Sequence, residues 1–382
     1  MRQHWILDPA ISYLNHGSFG ATPIAVLEKQ TEYRRRMEEE PVKFLARDID
    51  GLIDGARAEV ARFLGAETAD IAFVTNATAG VNAVLRSQRF DRGDELLVAT
   101  HEYNASRNVL DYVAANRGAN VVVVDIPFPI DGPETVVERL LNAVTAKTRL
   151  LLIDHVTSQT ALIFPIERIV AEMHKRGVEV LIDGAHAPGM LPLNLRELGV
   201  SYYTGNLHKW VCAPKGAAFL YVREDRRARI RPVAISHGAN SPRTDRSRYH
   251  LEFDWTGTFD PSPWLAAADA IRFMSTLAGW PEIMRSNRAL ALRARDILCE
   301  ALEIDHPAPD SMIGSMASVP VSDGDPDSLN LAFYEHHRIE VPIMPWPKWP
   351  ARLLRVSAQI YNTVDEYERL AAAVTAELRQ PA

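Results

Sequence analysis

Strand-length apolar runs recur through the middle of the chain, at residues 71–75, 96–99, 121–125, 149–153, 178–183 and 217–222. A run that is apolar at nearly every position suits a strand buried on both faces, as in a parallel sheet covered by helices. Helical patterns separate the runs. Residues 165–176 are amphipathic and closed by Gly177, and Asn76-Ala77-Thr78-Ala79-Gly80 opens another helix through residue 86. This β-α-β alternation predicts an α/β fold with a mostly parallel sheet and helices on both faces.

In open sheets of this kind, ligands bind beyond the carboxyl ends of the strands. Two strand ends carry chemistry. The run VEVLIDGAHAPG places Asp183 at its end, with His186 three residues on. The stretch SYYTGNLHKWVCAPKG, residues 201–216, places Lys209 among apolar and aromatic neighbours, where desolvation lowers an amine's pKa toward a reactive, neutral form. Pyridoxal phosphate (PLP) needs a lysine to condense with its carbonyl and an acid beside its pyridine nitrogen. Asp183 and Lys209, 26 residues apart, meet both needs. The small residues Ala77 and Thr78 at a helix N-terminus suit a phosphate group.

These and further motifs are similar to the class V aminotransferase family of fold-type I PLP enzymes, and within it to the isopenicillin N epimerase-like branch. The matching pieces are LNHGSFGATP, VTNATAGVNAV, HEYNA, DHVTSQTALI, LIDGAHAPG, GNLHKWVCAPKGAAFLYVR, WTGTFDPSP and RVSAQIYN, spread from residue 14 to 362. The resemblance implies PLP as cofactor, a large domain with a mostly parallel seven-stranded sheet and a small C-terminal α+β domain. It gives Lys209 the catalytic role and Tyr103 the position that stacks on the pyridine face. Thr157 or Ser158 meets the phenolic oxygen, the two standing undistinguished; His186 is placed at that oxygen and His208 at the phosphate, with Asn206 in the same motif. Gly257 and Thr258 lie in the segment that crosses to the partner's phosphate, which implies a homodimer with shared active sites. Arg355 is placed on the substrate α-carboxylate, Asn15 and His16 reach over the site, and Arg47 is a further candidate for the carboxylate. Trp346, in the stiff loop PWPKWP, is expected either to wall the substrate pocket or to act as a lid or packing element.

The length of 382 residues predicts more than one core: an arm at 1–22, a PLP-binding domain at 23–260, and linking helices with a small domain at 261–382. A net charge of −7 gives no reason to expect nucleic acid or an anionic membrane as partner. Two cysteines imply no disulfide framework, the histidines lack metal-ligand spacing, and the start lacks the signature of a signal peptide. A cytoplasmic enzyme without a metal is expected. Its substrate is an L-α-amino acid, deprotonated at Cα by Lys209. β-Elimination from a cysteine-derived or cysteine-conjugated substrate (C–S lyase) is the leading expectation and epimerisation the second. Decarboxylation or transamination is third, and a non-catalytic sensor module is the alternative outside enzymes. Sulfur transfer to a protein thiol is disfavoured, since Cys299 falls in a predicted helix and Cys212 follows the lysine.

Overall fold

The computed structural model describes residues 1–378. Its strands are β1 (Ser12–Tyr13), β2 (Ile71–Val74), β3 (Glu95–Ala99), β4 (Asn120–Val124), β5 (Thr148–Asp154), β6 (Glu179–Asp183), β7 (Tyr202–Asn206), β8 (Ala218–Val222), β9 (Met316–Val321), β10 (Ile339–Glu340), β11 (Ile343–Pro345) and β12 (Arg352–Ser357). The apolar runs of the sequence build one seven-stranded sheet in the order β2-β8-β7-β6-β5-β3-β4. Its strands are parallel from β7 to β4, and β8 alone runs against its two neighbours.

Alternate residues of each strand feed two cores. Leu97, Leu151, Ile153, Val180, Ile182 and Tyr203 bury on one face, and Leu96, Val98, Leu150, Leu152, Leu181 and Tyr202 on the other. The period-2 geometry of a strand thus explains why the runs are apolar throughout. The crossover helix Ile166–Lys175 turns Ile166, Ile169, Val170 and Met173 inward, three to four residues apart.

A second sheet, β11-β12-β9, is antiparallel and lies wholly within residues 316–357. The helix Trp280–Leu302 packs on β9 and β12, whereas Ser262–Ala278 packs on the helices Ile24–Glu39 and Ile49–Leu64, so this pair links the two sheets. The amino-terminal arm joins the smaller sheet's side, because β1 pairs in parallel with β10.

Three segments depart in detail from what their sequence pattern suggests. Residues 339–344 read in the sequence as one strand, but the chain forms β10 and β11 there, in different sheets. Pro342 lies between them, and a residue without an N–H interrupts a ladder. Residues 235–249, whose Gly, Ser, Pro and Arg content suggests a long loop, hold the 3-10 turn His237–Asn240 and the start of the helix Arg248–Phe253. Residues 1–23, without a helical period, still make one helical turn at His16–Phe19.

Candidate active site

The carboxyl ends of the parallel strands meet where the sequence places the chemistry. Asp183 ends β6 and is 1% exposed. Its Oδ2 accepts a hydrogen bond from Ser106 Oγ (2.7 Å) and its Oδ1 one from the Ala185 N–H (3.0 Å). Burial raises the carboxyl pKa, and these two donors with Lys209 oppose that rise. Lys209 follows β7, the neighbouring strand, and its Nζ lies 3.0 Å from His186 Nε2. Burial, reinforced by the Arg355 charge, brings the Lys209 amine down to about 7. A group so tuned exchanges its proton near neutral pH, as a lysine that condenses with a carbonyl or takes a Cα proton must. Burial and Lys209 also keep His186 neutral, and its Nδ1 is buried without a partner.

The backbone around Lys209 is held from outside the sheet. His16 is fully buried, with Nε2 3.0 Å from the Lys209 carbonyl oxygen and Nδ1 2.8 Å from Tyr361 Oη. Both ring nitrogens are engaged and burial lowers its pKa to about 3. His16, expected to reach over the site, has both ring nitrogens engaged in this way and braces the backbone that carries Lys209. The arm approaches so closely that a Cβ on Gly20 (φ +67°) would lie 2.1 Å from the His208 carbonyl oxygen. His208 Nδ1 sits 3.0 Å from the Ala217 carbonyl oxygen, and burial lowers the ring's pKa to about 4.

The helix Ala77–Ser87 starts beside β7. Asn206, which ends β7, accepts from the Ala77 N–H (2.9 Å), and the N-cap Asn76 accepts from the Ala79 N–H (2.8 Å). Thr78 is left half-buried at this helix end. The approach requires Gly80, since a Cβ there would come within 2.1 Å of Thr204 Oγ1. Tyr103 caps the helix Asn104–Arg117 with its ring 44% exposed, available for stacking.

Arg355, in β12 of the smaller sheet, reaches the same cleft. It is 2% exposed, donates from Nη1 to the Ser158 carbonyl (2.6 Å) and from Nη2 to Ser18 Oγ (2.9 Å), and has Asn15 Oδ1 at 3.5 Å. No carboxylate meets this guanidinium among the described residues, its Nε lacks a partner, and burial lowers its pKa to about 10. A buried cation without a counter-ion is built to receive an anion. Ser158 thus stands at Arg355, while the Thr157 hydroxyl is committed to Thr160 Oγ1 (2.7 Å) and the Leu162 N–H (2.8 Å).

Trp346 packs edge-to-face on His101 (centroids 4.5 Å apart), just past the end of β3. Three of the expected residues do not join this cluster within the chain. Arg47 is exposed on the turn Phe44–Asp48 and makes no hydrogen bond among the described residues. Thr258 is exposed, and Gly257 (φ +130°) has open space about its Cα. Their segment is anchored by the buried Arg57–Asp254 ion pair. Sequence reading missed Ser106, Ser18, Glu102 and Asp154. Ser106 could have been found, because it lies three residues past Tyr103 on one helix face; Ser18 depends on a long-range contact and carries no such signal.

The residues present fit PLP: an amine near neutrality, a doubly anchored carboxylate one strand away, an exposed aromatic ring and a helix N-terminus. Relatives agree. The sequence profile described as "Aminotransferase class-V" matches residues 13–370. The chain is 37% identical to an isopenicillin N epimerase of Amycolatopsis lactamdurans, over 98% of this chain and 96% of that one. It is 29% identical to a probable chloroplastic L-cysteine desulfhydrase of Arabidopsis thaliana, over 97% and 84%. Its fold superposes on the cystine C-S lyase C-DES, solved with its product cysteine persulfide, with a TM-score of 0.81 at 23% identity, covering 96% and 97% of the two chains. This chain belongs to the class V aminotransferase family and is a PLP-dependent enzyme of fold type I.

Proposed function

We propose that the enzyme carries out β-elimination on a cysteine-derived or cysteine-conjugated L-α-amino acid. The observation that carries the reading is a lysine amine near neutrality in one cleft with a buried guanidinium that has no carboxylate partner. Arg355 holds the substrate carboxylate in its planar fork. Bound PLP supplies the electron sink that acidifies Cα–H. Lys209 takes the Cα proton, and the Cβ–S bond breaks with its electron pair going to sulfur, which leaves as a thiol once protonated. With one water taken up, the remainder becomes an α-keto acid and ammonium.

The sulfur is released rather than passed to the protein. Cys212 is fully buried with its thiol pKa pushed up to about 12, and Cys299 is buried with its own raised to about 11, so neither supplies a thiolate. Epimerisation is the second reading, favoured by the higher identity to the epimerase (37% against 29%). One experiment separates them: incubation with S-substituted cysteines in D2O, followed by NMR and chiral chromatography. Elimination gives keto acid, ammonium and thiol in equal amounts. Epimerisation gives both enantiomers labelled at Cα and no keto acid. Neither outcome across a panel of L-amino acids, with cofactor bound, would end both readings.

The reading includes a homodimer in a reducing, cytoplasmic setting, with Thr258 of each protomer serving the other's phosphate. Its support is the exposed Thr258, in a segment anchored at Asp254 by a buried ion pair, and the two free buried thiols. No helix among the described residues is long and apolar enough to cross a membrane. The division at residues 22 and 260 belongs to the same proposal, supported by the separate sheet within 316–357. A monomer by sedimentation that kept full activity would remove the dimer from it.

A further inference from the structure

Beside Asp183 stand two more buried acids that the reaction as described does not use. Glu102, past the end of β3, is 6% exposed, and Asp154, the last residue of β5, is 3% exposed. Because β3, β5 and β6 are consecutive in the sheet, three strand ends bring three carboxyl groups together. One oxygen from each lies within 4.8 Å of the others. Asp154 and Asp183 are register partners.

The three groups are not equivalent. Asp183 has a donor on each oxygen, Ser106 Oγ and the Ala185 N–H. Both oxygens of Glu102 and Oδ2 of Asp154 are buried without any partner. Three carboxylates this close in a dry site cannot all be ionised, since like charges a few ångströms apart repel strongly where water is excluded. The donors stabilise charge on Asp183, whereas the backbone N–H groups of Tyr103 and Asp154 offset only part of what burial and the neighbouring acids impose on the other two. We propose that Glu102 and Asp154 are held as neutral carboxylic acids, and that their two protons leave Asp183 as the single ionised member of the trio. Each acid proton turns one carboxyl oxygen into a donor toward a neighbouring carboxyl, which three ionised carboxylates, acceptors only, could not provide.

Burial, together with the neighbouring acids, raises Glu102 and Asp154 well above the usual carboxylate range, in keeping with this arrangement. The other titratable or charged groups facing the trio are Lys209 after β7, which lowers Asp154 and Asp183, and Tyr203 within β7, whose phenol Asp183 raises. Neither places a fixed positive charge on Glu102. In this role Glu102 and Asp154 are positioning residues: they act through Asp183, keeping the charge beside the pyridine nitrogen at one rather than three. The role rests on the PLP reading, but the protonation states do not.

The test is infrared spectroscopy of the purified holoprotein at pH 7, where exposed carboxyls are ionised and only protected acids absorb as protonated carboxyl. The wild type is expected to show this absorption; Glu102→Gln and Asp154→Asn each remove part of it, and Asp183→Asn removes none. A wild type without the absorption overturns the proposal and points to a bound cation, which elemental analysis then identifies. Absorption lost in Asp183→Asn overturns it too, because the proton then sits on the wrong residue. The visible band of bound PLP, followed in the same samples, reports on the cofactor reading separately.

A second measurement uses stability. A buried acid with a raised pKa favours folding at low pH and loses that contribution as pH rises above the unfolded value of about 4. The folding equilibrium of the wild type relative to Glu102→Gln should therefore fall with pH, by up to tenfold per unit between pH 6 and 8. A ratio independent of pH would overturn the assignment for Glu102. If Glu102→Gln does not fold, Asp154→Asn and the wild-type absorption still decide. Glu102→Ala should weaken cofactor retention and Glu102→Gln restore it, since the neutral amide keeps both shape and charge.

Discussion

The two halves of the active site are built in different ways. Asp183 ends β6 and Lys209 follows three residues after the end of the adjacent parallel strand β7, so main-chain pairing brings their segments together, and their partners Ser106, Ala185 and His186 come from the same sheet's connections. Arg355 belongs to another sheet and is held by Ser18 and Asn15 of the arm and by Ser158 of a loop. The half proposed to hold the cofactor is thus preorganised by one sheet, and the half proposed to hold the substrate is assembled from three segments distant in sequence. This division lets one scaffold keep its cofactor chemistry while the substrate end changes, in line with relatives named for epimerisation and for desulfhydration.

Substitutions can break or sharpen the contrast. Lys209→Ala should remove the visible band of bound cofactor and lower turnover by at least roughly 10²–10⁴-fold, the usual contribution of a positioned base. A variant that kept band and turnover would place the base elsewhere. Asp183→Asn should leave the fold intact, weaken cofactor retention and lower kcat by roughly 10²–10³-fold, because an amide does not balance a developing positive charge. Near-normal kinetics would mean that the acid partner lies elsewhere.

On the substrate side, Arg355→Lys should lower kcat/KM for any α-amino acid by roughly 10- to 100-fold through loss of one charge-assisted hydrogen bond, with the cofactor band unchanged. A lost band would show that the two halves are not separable. The pH dependence of cofactor capture by the apoprotein probes the other half. Only a neutral amine condenses with a carbonyl, so with Lys209 at about 7 the rate should rise about tenfold from pH 6 to pH 8 and then level. A rate flat across this range would contradict the lowered amine. Smallest is Ser18→Ala, which removes the 2.9 Å partner of Arg355. It should cost roughly two- to tenfold in kcat/KM and nothing in cofactor affinity. An equal loss in both would tie the arm to the cofactor.

His16 shows where sequence reading stops. Its place in the motif Asn15-His16-Gly17 suggests a group reaching over the site, and the structure shows it buried under the Lys209 backbone with Tyr361, 345 residues away, on its other nitrogen. Thr157 and Ser158 were equivalent in the sequence and are separated by one strand-end turn, which aims one hydroxyl at Leu162 and the other at Arg355. Pro342 was visible, but not that the chain on either side of it would enter two different sheets.

The sequence by itself determined the parallel sheet, the strand ends that carry Asp183 and Lys209, and the helix start at Ala77. These follow from local pattern: runs apolar at nearly every position, with turn and polar residues at their breaks. Tertiary structure alone decided which acids share a site, which oxygens lack partners, and what holds Arg355. Glu102, Asp154 and Asp183 lie up to 81 residues apart and become neighbours only because strand order places β3, β5 and β6 side by side. Strand order is set by packing and crossover connections across the whole domain, and no window of sequence contains it.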